Sequence, residues 1–257
     1  MNLTLTDRVV LVTGATANIG AATAVAFGRE GARVALTYRN HPEAAEAVAE
    51  RVEDAGGEAY VLPFDLTDPA DAHRVVGDVV DHWGGLDVLV NNAVRWPGGF
   101  PGPMDEMFDE IDDWELDVAA NLFGHMRVIH AALPVLKQST AGRIATISTS
   151  MLERGIAGGA LYTAAKGGLH GFNRSLAWEL KDTVLTNIVM PGWTVDGSTL
   201  PDPMPEDLQV VIDDHCRHTP TGHLVAAQHV ADAIVFVCSP RNGSITGEVI
   251  KITGGYL

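Results

Sequence analysis

The sequence predicts a single doubly wound α/β domain, with about seven parallel strands and helices on both faces of the sheet. Short apolar runs rich in β-forming residues alternate with helical segments along the 257 residues, as in a parallel sheet with crossover helices. The first run, VVLVTGATANIG, ends in a glycine turn that opens a helix near Asn18. The apolar content of 46% is enough for one full-sized core, so residues 1–257 are expected to form one domain.

Composition excludes several classes of partner. The net charge is −16 and no cluster of Lys and Arg is present, which argues against a nucleic acid or an anionic membrane. No leader and no apolar run of membrane-spanning length is seen, so a soluble cytoplasmic protein is expected. Cys216 and Cys238 are isolated and lack a neighbouring His/Cys cluster, so neither a disulfide nor a metal site is predicted.

The first strand, turn and helix predict a phosphate site. Backbone N–H groups of such a turn and the positive end of the helix point at one spot, where the pyrophosphate of a dinucleotide can bind. The alternative is a tight connection with no ligand. The predicted contacts are Gly14, Thr16, Asn18, Ile19 and Gly20.

The ends of the second and third strands predict which dinucleotide binds. ARVALTY is followed by Arg39, with no acid before Glu43. An Arg here neutralises the 2′-phosphate of NADP, whereas NAD needs a carboxylate, so NADPH is the expected cofactor. A solvated surface charge is the alternative for Arg39. The third strand, AYVLPF, brings Asp65 and Leu66 to the same edge, where Asp65 either contacts adenine or caps the next helix.

Two further stretches carry polar residues to this edge. The fourth strand, LDVLV, ends in Asn91-Asn92-Ala93-Val94, which places Asn92 and Ala93 beside the predicted cofactor. IDDWELDVAANLFGHMRVIHAALPVL predicts a long helix, broken or bent near Asn121. A buried Asn within a helix needs partners for its amide, and a bend without a chemical role is the alternative.

The candidate chemistry lies between residues 143 and 180. GRIATIST is a predicted strand that brings Thr149 to its carboxyl end, and the next helix carries Tyr162 and Lys166 on one face. A nearby ammonium is expected to lower the pKa of the phenol from its ordinary value of about 10. In a regular strand Ser148 and Ser150 point away from the site, whereas a bulge would bring one of them into the role of Thr149.

Taken together, these motifs resemble the short-chain dehydrogenase/reductase family over nearly the whole chain. TGATANIG is similar to its Thr-Gly-x-x-x-Gly-x-Gly turn and NNAV to its Asn-Asn-Ala-Gly strand end, although Asn18 and Val94 stand where the family has glycine. The resemblance implies a Rossmann-type fold and a homodimer or homotetramer. It also implies a proton donor, Tyr162, and a hydroxyl donor thirteen positions earlier, which is Thr149 by ungapped counting.

The same resemblance assigns the remaining roles. Lys166 lowers the phenol pKa and binds the cofactor ribose, and Asn121 holds a water that links Lys166 to solvent. In LTNIVMPGW, Pro191 and Gly192 back the nicotinamide, and Thr194 meets its carboxamide or the pyrophosphate. Residues 195–219 correspond to a mobile substrate flap.

The function predicted in this way is NADPH-dependent reduction of a ketone. Relatives that reduce 3-oxoacyl groups on an acidic carrier protein need a basic rim, whereas this chain is acidic and has Trp178 and Glu179 where they commonly have an Arg. The Gly/Pro-rich loop 95–104, with Trp96 and Phe100, predicts an apolar mouth for a free ketone; the alternative is a surface loop whose aromatic side chains pack back onto the domain. The resemblance extends to tailoring reductases of antibiotic biosynthesis, which implies a bulky or aromatic ketone of polyketide type. The alternatives are a 3-oxoacyl thioester reductase, an NAD(P)-dependent alcohol dehydrogenase and a non-catalytic nucleotide-binding regulator.

Overall fold

The structure, a computed structural model, describes residues 3–96, 111–197 and 199–256. Its strands are β1 (Val9–Val12), β2 (Arg33–Tyr38), β3 (Glu58–Pro63), β4 (Val88–Asn91), β5 (Gly142–Ile147), β6 (Val184–Pro191), β7 (Thr194–Val195), β8 (Val225–Ala226) and β9 (Val249–Ile252). Its helices are α1 (Asn18–Arg29), α2 (Pro42–Asp54), α3 (Asp71–Trp83), α4 (Ile111–Val118), α5 (His125–Leu136), α6 (Met151–Arg154), α7 (Ala160–Leu180), α8 (Glu206–Arg217) and α9 (Ala227–Cys238). A π-helical segment, Ala119–Gly124, joins α4 to α5.

The main sheet confirms the predicted fold. Its seven strands run in the order β3-β2-β1-β4-β5-β6-β9, and each neighbouring pair is parallel. β1 and β4 are buried along their whole length, which explains why they read as continuous apolar runs rather than as alternating patterns. β7 and β8 form a separate parallel pair.

The core lies on both faces of the sheet. On one face α1, α2 and α9 pack through residues such as Phe27, Val52 and Ile234. On the other face α3, α5 and α7 contribute a second cluster. With both faces covered, the open ends of the strands are left as the place for a ligand, and the crevice lies where β1 separates β2 from β4.

Two predicted segments need comment. The break expected near Asn121 is the π-helical segment, a single wide turn of the kind that often marks functional sites. Of the predicted loop 95–104, only Arg95 and Trp96 belong to the described residues, so Phe100 lies outside them. Within the described ranges, no helix has both the length and the apolar character that a membrane crossing requires.

Candidate active site

A cavity of about 960 Å³ opens at the carboxyl ends of the central strands. The predicted site residues that line it are Gly14, Thr16, Asn18, Ile19, Gly20, Arg39, Leu66, Asn92, Ala93, Thr149, Tyr162, Lys166, Pro191, Gly192 and Thr194. Asp65 and Asn121 are not among its lining residues. The topology therefore gathers at one crevice most of the residues that the motifs singled out.

In the glycine turn after β1, Gly14 and Gly20 lie so close to neighbouring backbone atoms that neither position has room for a side chain. Gly14 has φ +65°, and a Cβ there would lie 2.8 Å from Cα of Ala93. At Gly20 a Cβ would lie 2.2 Å from the carbonyl oxygen of Gly14. The amide of Asn92 donates to the carbonyls of Thr13 and Gly14, at 3.0 and 2.8 Å, and holds the end of β4 against the turn. This bare backbone cradle at the start of α1 fits the pyrophosphate of a dinucleotide.

Asn18 adopts the left-handed conformation, with φ +47°, which Asn tolerates better than most residues. Its backbone N–H donates to the carboxylate of Asp196 at 2.8 Å, and its side-chain amide donates to the carbonyl of Thr194 at 3.1 Å. A carboxylate from the segment after β7 therefore sits at the N-terminus of α1, where the pyrophosphate is expected. Sequence reasoning missed Asp196, because 178 residues separate it from Asn18.

Arg39 and Asp65, assigned separately from the sequence, form an ion pair. Arg39 Nε lies 3.2 Å from Asp65 Oδ2, and Asp65 also accepts hydrogen bonds from the backbone and hydroxyl of Thr67 at 2.8 and 2.7 Å. Partial burial acts to raise the pKa of Asp65, but the bonds from Thr67 and the charge of Arg39 outweigh it, so this pKa is lowered. The Asp65 carboxylate thus stabilises a local turn by accepting hydrogen bonds from Thr67, two residues later. It does not cap α3, which begins only at Asp71.

Tyr162 and Lys166 lie on one face of α7, as predicted. The pKa of each group is shifted by its own burial and not by the charge of the other. Burial raises the pKa of Tyr162 to about 12 and lowers the pKa of Lys166 to about 7. The expected lowering of the phenol pKa by Lys166 is therefore wrong for this structure. Lys166 Nζ lies 6.0 Å from the centre of the Tyr162 ring and donates instead to the carbonyl of Ile147 at 2.9 Å. Tyr162 is consequently protonated at neutral pH, as a proton donor must be.

The strand β5 ends at Ile147, directly before three hydroxyl residues. Ser148, Thr149 and Ser150 all line the cavity. Ser148 Oγ is 2.6 Å from Nε2 of His170, whereas Thr149 Oγ1 accepts a 3.3 Å bond from the backbone of Met151. The Thr149 hydroxyl hydrogen thus remains available for a substrate oxygen, while Ser148 is engaged with His170.

The Asn121 side chain is hydrogen-bonded to the segment that follows β4. Its amide nitrogen donates to the carbonyls of Arg95 and Asp117, at 2.9 and 3.0 Å, and its amide oxygen accepts from the backbone of Arg95 at 3.2 Å. Arg95 also forms an ion pair with Asp117. All polar atoms of this buried amide are therefore satisfied, and its predicted link to Lys166 through water stays a prediction.

Aromatic side chains gather at the mouth of the cavity. Trp96 packs edge-on against the Tyr162 ring, with centroids 5.2 Å apart. His215 from α8 contacts Trp193 and Tyr256, with ring centroids 5.3 and 4.0 Å away. Trp96 was anticipated from the loop after β4, whereas the contribution of His215 and Tyr256 could not be read from their distant positions in the chain.

Comparison with known proteins gives matches that cover the chain. A family model described as Enoyl-(Acyl carrier protein) reductase matches residues 14–257. The 3-oxoacyl-[acyl-carrier-protein] reductase FabG of Aggregatibacter actinomycetemcomitans is 31% identical over 252 residues, which are 97% of this chain and 99% of that protein.

Solved structures agree with this. A short-chain dehydrogenase from Burkholderia cenocepacia in complex with NADP superposes with a TM-score of 0.86 at 32% identity, covering 98% of each chain. The NADH-dependent reductase A1-R′ complexed with NAD has a TM-score of 0.85 at 27% identity, covering 100% of this chain and 99% of the other. The same fold is thus seen with either dinucleotide.

Proposed function

Because this chain belongs to the short-chain dehydrogenase/reductase family and is an NADP-dependent oxidoreductase, we propose that it reduces a free, bulky cyclic or aromatic ketone of polyketide type. The NADP complex of the Burkholderia relative and the Arg39 side chain in the cavity support this cofactor. The remaining assignments, of residues and of substrate, are argued from the cavity.

Tyr162 is the proton donor in the proposed reaction. NADPH supplies a hydride when bound, and the carbonyl carbon accepts it. The carbonyl oxygen takes the proton of Tyr162 Oη, while Thr149 donates a hydrogen bond to the same oxygen. Because burial raises the pKa of Tyr162 to about 12, the phenol holds its proton near neutral pH and can give it to the carbonyl oxygen as negative charge develops there.

The cofactor side of the cavity holds most of the predicted contacts. The turn from Gly14 to Gly20 would hold the pyrophosphate, and Arg39 would meet the 2′-phosphate by turning from Asp65. Lys166 would reach the ribose and Thr194 the nicotinamide side. Asp196 must leave the N–H of Asn18 before a phosphate oxygen can bind there, since one N–H cannot serve both anions.

The aromatic mouth is the observation that carries the substrate proposal. The Trp96 ring packs against the Tyr162 ring. The His215 ring contacts the rings of both Trp193 and Tyr256, so these three side chains form a second aromatic cluster. Flat or bulky apolar molecules bind well between such rings, because stacked and edge-on contacts add to the burial of apolar surface. A ketone with a ring system would place its carbonyl beside Tyr162 while its body contacts these aromatic side chains.

A 3-oxoacyl thioester is the second candidate substrate, and the FabG relative supports it. Binding of an acidic carrier requires positive charge around the entrance. This chain has a net charge of −16, and its Trp178 is 81% exposed at the position where the resemblance leads us to expect an Arg. Charge therefore favours the free ketone.

A paired assay tests the substrate proposal. NADPH oxidation is followed with bulky aromatic ketones and with a carrier-bound 3-oxoacyl thioester, each at low and high salt, with Tyr162→Phe as the background control. We expect the aromatic ketones to react faster and their rates to change little with salt. Faster reduction of the carrier-bound substrate, at a rate that falls as salt rises, would contradict the proposal.

We also propose that the chain assembles as a homodimer or homotetramer. Large apolar side chains lie exposed on three separate helical segments: Phe123 at 50%, Trp178 at 81% and Phe236 at 38%. Such side chains are commonly buried between subunits. Light scattering coupled to gel filtration measures the mass, and a monomer at micromolar concentration would contradict this assignment.

A further inference from the structure

His125 is a buried histidine that lies beside the Lys166 ammonium. It is the first residue of α5, directly after the π-helical segment, and none of its surface is exposed. Its Nε2 lies 3.2 Å from Lys166 Nζ. The backbone carbonyl of His125 also accepts a 2.9 Å bond from the amide of Asn91, which ties the start of α5 to the end of β4. The backbone at the start of α5 is therefore held by a central strand.

Lys166 has few partners for its charge. Its side chain is only 2% exposed, and Nζ donates to the carbonyl of Ile147 at 2.9 Å. Among the described residues, no carboxylate pairs with it. Lys166 Nζ thus has two polar partners, the carbonyl oxygen of Ile147 and Nε2 of His125. Without His125, a single carbonyl would hold the inner side of this buried ammonium.

His125 can serve as an acceptor only in its neutral form. Burial, and then the charge of Lys166, lower the pKa of His125 well below its ordinary value, so the ring is neutral at physiological pH. When Nε2 accepts from the Lys166 ammonium, the ring proton resides on Nδ1, which is buried and has no hydrogen-bond partner among the described residues. The titratable groups facing Lys166 in the described structure are then His125 from α5 and Tyr162 from its own helix.

We infer that His125 is a positioning residue for the reduction: its Nε2 lone pair fixes the Lys166 side chain and favours its charged form beside Tyr162. This rests on the proposed function, in which Tyr162 is the proton donor. The same geometry explains why a histidine stands in the interior of an otherwise apolar helix face, four residues after Asn121.

Three substitutions separate the hydrogen bond from the shape of the side chain. His125→Gln places an amide oxygen at about the reach of Nε2, His125→Asn places it only at the reach of Nδ1, and His125→Leu keeps bulk without an acceptor. His130→Gln, at an exposed position of the same helix, is the matched control. We expect kcat to fall about tenfold in the Asn and Leu variants with KM unchanged, and to stay within about threefold in the Gln variant.

The pH profile is the readout that a purely structural role would not move. Loss of the acceptor makes the ammonium less favourable, so the basic limb of kcat should move to lower pH by at least about half a unit in the Asn and Leu variants and stay in place in the Gln variant. Equal behaviour of the Gln and Asn variants, or no effect in any of the three, would overturn the inference.

A measurement without turnover keeps this inference separate from the proposed function. The chain has four lysines, Lys137, Lys166, Lys181 and Lys251, so lysine labelled with ¹³C gives few signals, and Lys166→Met assigns the one of interest. The pKa of Lys166 should fall in His125→Leu and stay unchanged in His125→Gln. If the wild-type protein reduced no ketone, the proposed function would fail, but this titration would still decide the role of His125. An identical Lys166 pKa in all variants would refute the positioning role of His125.

Discussion

Replacing Lys166 by Met should stabilise the cofactor-free protein while abolishing its activity. Lys166 is 2% exposed, and its charge is compensated by one carbonyl and one neutral imidazole. A Met side chain has nearly the same length and fills this space without a charge. Buried ionic groups kept for function are commonly less stable than apolar replacements of similar volume.

The magnitude follows from the pKa of Lys166. Burial lowers it from 10.5 to about 7, which corresponds to about 5 kcal/mol of unfavourable charge burial at about 1.4 kcal/mol per pKa unit. The two inward hydrogen bonds are lost in the variant, and their acceptors become unpaired, at about 1–2 kcal/mol each. We therefore expect a net gain of about 1–3 kcal/mol in the free energy of unfolding at pH 7.

The sign of the pH dependence is also determined. Between about pH 7 and 10.5 the native state has released the Lys166 proton while the unfolded chain still binds it. Unfolding then takes up a proton, so the contribution of Lys166 to native stability rises with pH by up to about 1.4 kcal/mol per pH unit. Because the Met variant lacks this dependence, its advantage should be largest at or below pH 7 and should shrink towards pH 10.

Urea unfolding at pH 7 and pH 10 measures both effects. The exposed Lys137 provides the control, since Lys137→Met should change neither the stability nor its pH dependence by more than about 0.5 kcal/mol. A Lys166→Met protein that is less stable than wild type at pH 7, or a difference that is the same at both pH values, would refute the view that Lys166 is held at a cost in stability.

Four further predictions concern the proposed site. Tyr162→Phe should lower turnover by about a thousandfold with NADPH affinity nearly unchanged, and retention of more than about a tenth of the activity would refute the proton-donor role. Thr149→Val should reduce kcat more than Ser148→Ala, because the Ser148 hydroxyl is bound to His170; the opposite order in steady-state kinetics would exchange their roles. Arg39→Ala should remove a preference for NADPH over NADH of about tenfold, measured as kcat/KM for each, and equal use of both cofactors by the wild-type protein would contradict the argument. Asp196→Asn should tighten NADPH binding by about threefold in a fluorescence titration, since it removes a carboxylate that competes for the start of α1, and weaker binding would show that Asp196 helps the cofactor.

Much of this fold was readable from the sequence because its signals are local. Apolar runs such as VVLV, the helix start at Asn18 and the pairing of Tyr162 with Lys166 depend on residues a few positions apart, and strand and helix geometry repeats over that distance. A parallel sheet covered on both faces could also be anticipated, since alternating strands and helices leave few other ways to pack. The sequence by itself therefore determined the family and predicted most of the residues that are found to line the cavity.

Tertiary structure alone decided which of these residues touch. His125 meets Lys166 across 41 residues of chain, and Asp196 meets Asn18 across 178, so no periodicity or spacing could reveal either contact. The sequence predicted a lowered pKa for the Tyr162 phenol, whereas the structure raises it, for the same reason. Spacing put Lys166 on the helix face of Tyr162, but burial in the folded protein sets both pKa values, and the ammonium is directed towards Ile147 and His125. Burial is a property of everything packed around a group, and it exists only once the chain has folded.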